Sequence, residues 1–146
     1  FAWVFAAGYQ ATLRNAFTTL PARGWAAFVA TEDDREPERY PGTTLTADGD
    51  GLRLDGCKLW VGHSRVAEHL VVSINDPGGD KRRARAVIVA RDAPGVTLTH
   101  REAPGFLPAI SQGYARFEGT PIAPGTGHFF ISRMFTHSVS NNFTLF

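Results

Sequence analysis

The chain has a single cysteine and a single methionine, Cys57 and Met134, among its 146 residues. One cysteine cannot close an internal disulfide, and no Cys/His spacing resembles a metal site. Disulfide scaffolds and zinc modules are therefore excluded, and a reducing, cytoplasmic compartment is expected. A charge of one sign is also missing: 15 Lys and Arg stand against 14 Asp and Glu, for a formal net charge of +1. No field recommends nucleic acid or an anionic membrane as partner. The local exception is the basic run Lys81, Arg82, Arg83 and Arg85. Long apolar runs are absent as well. The opening "FAWVFAAGYQ" is too short to span a bilayer and lacks the basic flank of a secretion signal. The numbering opens at Phe1 rather than at a methionine, which reads as a piece of a longer chain.

What is present is enough apolar material for a core, 43% of residues, in a length typical of one domain. From Ala2 to Leu20 the residues Val4, Phe5, Tyr9, Leu13, Phe17 and Leu20 recur at helical steps, and Pro21 and Gly24 end the pattern. From Trp25 the period changes to that of strands. "WAAFVAT", "TTLTADGDGLRLDGCKLWV", "HLVVSIN", "RAVIVA", "VTLTH" and "YARFEG" are rich in β-branched and aromatic residues, with Asp50-Gly51 and Asp55-Gly56 read as turn dipeptides. Such spacing predicts an antiparallel barrel or sandwich. After Pro121 to Gly125 helical spacing returns, with Phe130, Met134, Phe135, Val139 and Phe143 as apolar contacts. Phe5, Tyr9, Phe17, Phe130, Phe135 and Phe143 are expected to lie against another chain or further domains, because a domain this small can hardly cover both flanking helices.

Five segments, taken in order and spacing, resemble the middle β-domain of the acyl-CoA dehydrogenase family: "FVATED" from Phe28, "ADGDGLRLDGCKLWV" from Ala47, "AEHLVV" from Ala67, "AVIVARDAPGVTL" from Ala86 and "ARFEGTPIAPG" from Ala115. The resemblance implies a mainly β chain with an antiparallel barrel over residues 25–126. Residues 1–24 would end an N-terminal helical domain and 127–146 would begin a C-terminal one. It implies FAD as cofactor, an acyl-CoA thioester as substrate, oxidation of the α,β bond, an electron-transfer flavoprotein or similar acceptor, and a homo-oligomer. In the family the tryptophan of a K-x-W segment packs beside the isoalloxazine ring; Trp60 matches it, and Val61 and Gly62 follow toward the reactive edge. Thr31 matches a threonine whose hydroxyl meets the flavin's pyrimidine side, with Phe28 and Ala30 offering backbone contacts. The catalytic base of the family lies in its C-terminal helices, so no residue of this chain is assigned that role.

Beside these implications stand plainer readings. Trp60 also fits a barrel-core residue, and Thr31 a strand residue whose hydroxyl caps a turn. The segment departs from the family pattern in three places. Asp33 to Gly42 replaces a small, serine-containing loop with Asp33, Asp34, Glu36 and Glu38, which oppose a diphosphate unless Arg35 or Arg39 turns inward. Gly62 stands where the family has a threonine. After "VTLTH", Phe106 and Leu107 interrupt a Gly-x-Arg step. His63 and Ser64, adjacent in a strand, would point to opposite faces and are expected at the surface. Asp76 to Arg85 suits either CoA phosphates or a solvated hairpin loop. A flavin-dependent monooxygenase, a nitroalkane-oxidase-like enzyme and a non-catalytic paralogue are the alternatives to a dehydrogenase.

Overall fold

In the computed structural model, residues 2–74, 85–102, 110–122 and 129–130 are described. Helix α1 (Ala2–Ala16) is followed by strands β1 (Trp25–Val29), β2 (Thr44–Asp48), β3 (Gly51–Gly62), β4 (Ala67–Ile74), β5 (Arg85–Ala90), β6 (Val96–Arg101), β7 (Gln112–Ile122) and β8 (Phe129–Phe130). The strands form two four-stranded sheets, ordered β1-β4-β5-β8 and β2-β3-β7-β6. Every pairing is antiparallel except β1 with β4, which is parallel. The mainly β fold read from the sequence is therefore present. The parallel pair arises because the β2–β3 hairpin crosses to the second sheet between its two members.

The period of two sorts the side chains into layers. Ala27, Val29, Leu70, Val72, Val87 and Val89 of the first sheet meet Leu54, Val61, Ala115, Phe117 and Ile122 of the second in one buried core. On the opposite face of the first sheet, Ala26, Val71 and Ala86 pack under Leu13, Phe17 and Leu20. With α1 covering it, that sheet is buried on both sides, which is why "HLVVSI" and "RAVIVA" read as near-continuous apolar runs. Among the described residues nothing comparable covers the outer face of the second sheet, and Thr46, Arg53 and Trp60 are exposed on its strands.

β1 is an edge strand, and α1 satisfies its open groups. The Gln10 amide donates to Ala26 O at 2.8 Å and accepts from Ala26 N at 3.0 Å. Phe28 N donates to the Tyr9 hydroxyl at 2.7 Å. Arg14, in the last helical turn, reaches back to Gln10 Oε1 and to the carbonyls of Ala22 and Gly24.

Several expectations change here. The helix stops at Ala16; Phe17 still donates to Leu13 O, and Leu20 N closes a shorter turn on Phe17 O. Phe17 is 1% exposed and its ring lies 6.0 Å from that of Phe28, so it packs within its own chain rather than against a partner. Tyr9 likewise serves β1, whereas Trp3, Val4 and Phe5 remain exposed. The β2–β3 turn is Gly49-Asp50, with Gly49 at φ 57° in a two-residue hairpin that pairs Asp48 with Gly51. Asp55-Gly56 is not a turn but lies within β3. Phe129 and Phe130 pair with Ala86 and Arg85 in β8, inside an interval read as helical. Met134, Phe135, Val139, Phe143, the Lys81–Arg83 run and the Phe106–Leu107 step lie outside the described residues. No described helix is long and apolar enough to cross a membrane.

Candidate functional site

The pairing of β3 with β7 shifts register twice, between Leu54 and Gly56 and between Lys58 and Val61. Lys58 pairs with Ala115 and Val61 with Gly113, so three steps on β3 oppose two on β7. The extra residue is a β-bulge, which bends a strand and re-aims its side chains. Lys58 and Val61 both turn inward, while Trp60 between them is left 44% exposed. Trp60 is thus not a core residue. The bulge also frees the Leu59 N–H from the ladder, and that group donates to Thr31 O at 2.8 Å. This bond helps to close the first sheet's β1 end onto β3 and brings the two sequence segments together.

A buried polar network fixes the same junction from below. Lys58 is fully buried, and its ammonium donates to Glu32 Oε1 at 2.6 Å, to Ala30 O at 3.3 Å and to Ser73 Oγ at 3.4 Å. Glu32 also accepts from Thr43 N at 3.0 Å and Thr43 Oγ1 at 2.5 Å. Burial pulls Lys58 below the ordinary lysine value, and Glu32 opposes that. Burial acts to raise Glu32, but the donors from Lys58 and Thr43 prevail and hold it below the ordinary glutamate value. Such a network was not foreseen. The signal was a lysine set among the apolar residues of "CKLWV", four residues after the inward Leu54.

The remaining candidate residues divide. Ala30 and Thr31 are exposed beside the bulge. Val61 is fully buried in the core, backbone and side chain alike, so it does not open to the surface as the resemblance implied. Gly62 is half-buried, and a Cβ built on it meets nothing within 4 Å. Phe28 faces α1, and its N–H is taken by Tyr9. Trp60 lines a cavity of about 310 Å³ with Leu59, Arg101, Glu102, Gln112 and Gly113. Arg101 lies over the Tyr114 ring at 4.9 Å.

The acidic loop neutralises itself locally. Arg35 makes a fork on Asp33, at 2.8 Å to each carboxylate oxygen, which lowers Asp33 to about 2. Arg39 contacts Glu36 at 3.5 Å and lies over the Tyr40 ring. Pro41 O accepts from Cys57 N at 2.7 Å, laying the end of the loop along β3.

His63 and Ser64 are buried, not at the surface, and they do not pair with each other. Ser64 Oγ lies 3.1 Å from His100 Nδ1, and Ser64 N donates to Ser111 O at 3.3 Å. Arg91 donates to the carbonyls of Ser64, Arg65 and Ala67. The turn is thereby held by Arg91 just after β5, His100 of β6 and Ser111 just before β7, and what sequence adjacency concealed is that the strand ends before these residues alternate.

Two sheets on one core, one face covered by a helix and a bulged K-x-W strand closing on a T-E segment, define a β-domain of the acyl-CoA dehydrogenase middle-domain type. The chain is homologous to acyl-CoA dehydrogenases over this part: it is 33% identical over 115 residues to the probable acyl-CoA dehydrogenase FadE10 of Mycobacterium tuberculosis and of Mycobacterium bovis. That match covers 75% of this chain and 18% of the relative's length. Among solved structures, an FAD-dependent dehydrogenase superposes with a TM-score of 0.66 at 23% identity, covering 83% of this chain and 35% of that one. A glutaryl-coenzyme A dehydrogenase in complex with glutaryl-CoA gives 0.63 at 21%, covering 80% and 31%. No family model matches the chain.

Proposed function

We propose that this chain is the flavin-facing segment of an FAD-dependent oxidoreductase that oxidises the α,β bond of acyl-CoA thioesters. The observation that carries the reading is the bulge at Trp60, which exposes a large aromatic wall and, through Leu59 N–H, sets it beside Thr31. The residues present fit a planar ring in part. Trp60 supplies an apolar face, and offset contact with a ring adds about 0.5–1.5 kcal/mol beyond area burial. Thr31 carries a hydroxyl exposed next to it, and Gly62 leaves open space at the strand tip. Phe28 does not fit the role of amide donor, since Tyr9 holds its N–H. When bound, FAD supplies the two-electron acceptor that no side chain can provide. This chain's own residues would orient it and exclude water from one face. The base that takes the α-proton belongs to another part of the protein.

Homology to a family of acyl-CoA dehydrogenases supports an acyl-CoA substrate, a place in fatty acid metabolism, an electron-transferring flavoprotein as acceptor and a homo-oligomer. The lone buried Cys57 favours the cytoplasm. A second reading, a non-catalytic paralogue, draws on Arg35 being spent on Asp33 rather than free for a diphosphate, and on the engaged Phe28 amide.

Measuring FAD content and melting temperature of the full-length protein separates the two. Trp60→Ala should lower flavin occupancy or shift the flavin spectrum with a stability loss well short of the about 3–5 kcal/mol of a core tryptophan. Gly62→Thr should fold with stability unchanged within about 0.5 kcal/mol and strengthen flavin retention by about 1 kcal/mol through the added hydroxyl. A full-length protein that never contains flavin leaves the paralogue in front.

A further inference from the structure

Among the described residues, His63 is the only one other than glycine with positive φ, at 56°. Histidine enters this region more readily than most residues, but glycine adopts it with less strain. Its side chain shows what holds it. The imidazole is only 8% exposed, and its ring centroid lies 5.7 Å from that of Tyr9 on α1 and 5.4 Å from that of Trp25 on β1. Its carbonyl accepts from Val66 N at 2.9 Å and Ala67 N at 2.8 Å, closing the turn that ends β3. Strain at one residue is thus retained by contacts to two other elements, and such outliers mark positions where local geometry is imposed from a distance.

We propose that His63 is a latch that couples the docking of helix α1 to the turn at the tip of β3, and that adding one proton to its ring opens it. Nε2 is buried and has no hydrogen-bond partner among the described residues. The neutral ring tolerates this with its proton on Nδ1, leaving Nε2 a bare lone pair, whereas the imidazolium has a donor on both nitrogens. A proton taken from solvent would create a buried N–H with no acceptor, next to apolar ring surface, and the charged ring would move toward water.

The groups around it offer that charge little support. From α1 comes the neutral Tyr9 phenol, already accepting from Phe28 N. β1 contributes Trp25, whose backbone N–H donates to the carboxylate of the exposed Glu68 on β4 at 3.4 Å. Arg91, just after β5, brings a positive charge onto the carbonyls of the same turn, and His100 of β6 sits on Ser64. Burial accordingly holds His63 below the ordinary histidine value. Once the ring leaves, His63 loses the two aromatic contacts that hold it at positive φ, and α1 loses the contact that joins Tyr9 to it. This coupling requires no bound flavin.

The test is hydrogen exchange of the α1 amides in the full-length protein at about pH 8 and about pH 5, each pH compared with His63→Phe so that intrinsic exchange chemistry cancels. Phenylalanine keeps an aromatic wedge that cannot take a proton. Wild type and His63→Phe should protect α1 equally at the higher pH, and wild type should exchange at least about tenfold faster at the lower one. Equal protection at both pH values overturns the latch. Because the variant could misfold, the wild-type protein is also followed by NMR. The His63 ring should titrate below the ordinary histidine value and move the Tyr9 and Trp25 signals in the same step. A His63 titration that leaves those two rings unmoved overturns the proposal independently of any variant.

Discussion

Replacing Lys58 with methionine should destabilise the full-length protein by about 3–5 kcal/mol, the range for breaking a buried ion pair from one side. Methionine matches the lysine stem in length and leaves no cavity, so the loss isolates the charge. Glu32, whose side chain is 15% exposed, would lose its cation while the two Thr43 donors stay in place. Ala30 O and Ser73 Oγ would lose a donor as well. The loss should depend on pH with a definite sign. In the wild type Glu32 is held below its ordinary value, so its contribution is fully present above about pH 4.3 and falls away as pH drops through the folded value. In the variant, burial acts with weaker opposition and pushes Glu32 upward, so protonation relieves the defect. The gap between the two proteins should therefore narrow as pH falls from about 7 to about 4.5. Adding Glu32→Gln to the variant should recover part of the loss at neutral pH, since the uncharged amide needs no cation. Urea unfolding of the wild type, the two single variants Lys58→Met and Glu32→Gln, and the double variant at both pH values gives the coupling; strictly additive losses would show that the pair does not hold the junction.

The second large effect is expected at Gly56, where alanine should cost at least about 3 kcal/mol. Gly56 has φ 122°, and an added Cβ would sit 2.6 Å from Thr43 Cα and closer still to Gly42 O. Those atoms belong to the end of the 30–43 loop, which Glu32 holds through Thr43 and Cys57 N holds through Pro41 O. The chain has no slack there, and moving it would disturb the segment that carries Thr31. Alanine at Gly62, where nothing lies within 4 Å, serves as the control and should change stability by no more than about 0.5 kcal/mol. Thermal unfolding of both variants decides it. A Gly56→Ala protein that melts with the wild type would mean that the loop is not packed on β3.

Much of the fold was legible because periodicity is local. The step from helical spacing to alternation at Trp25 reports which backbone conformation buries apolar side chains on one face, and it needs no partner to be read. The placement of Trp60 was legible only through resemblance: alternation alone suits a core tryptophan, and the extra residue that turns it outward is visible only when β3 is set against β7. Asp55-Gly56 misled for a related reason, because the positive φ that a glycine permits serves a close approach of backbone as well as it serves a turn. His63 and Ser64 were misplaced by assuming that strand alternation ran past Gly62, whereas the chain there is already in a turn held by Tyr9, Trp25, Ser111 and Arg91.

By itself, then, the sequence determined the class of protein: a mainly β domain with a helix beside it, without disulfides, homologous to acyl-CoA dehydrogenases through ordered segments that survive in the linear text. Tertiary structure alone decided that β1 and β4 run parallel, that Lys58 and Glu32 meet under the Thr31–Trp60 junction, and that α1 seals the β1 edge through Gln10 and Tyr9. These are contacts between residues far apart in the chain. Their energies come from burial, which gives a lysine its partner and an edge strand its cover, and burial is a property of the folded arrangement that no local pattern of residues contains.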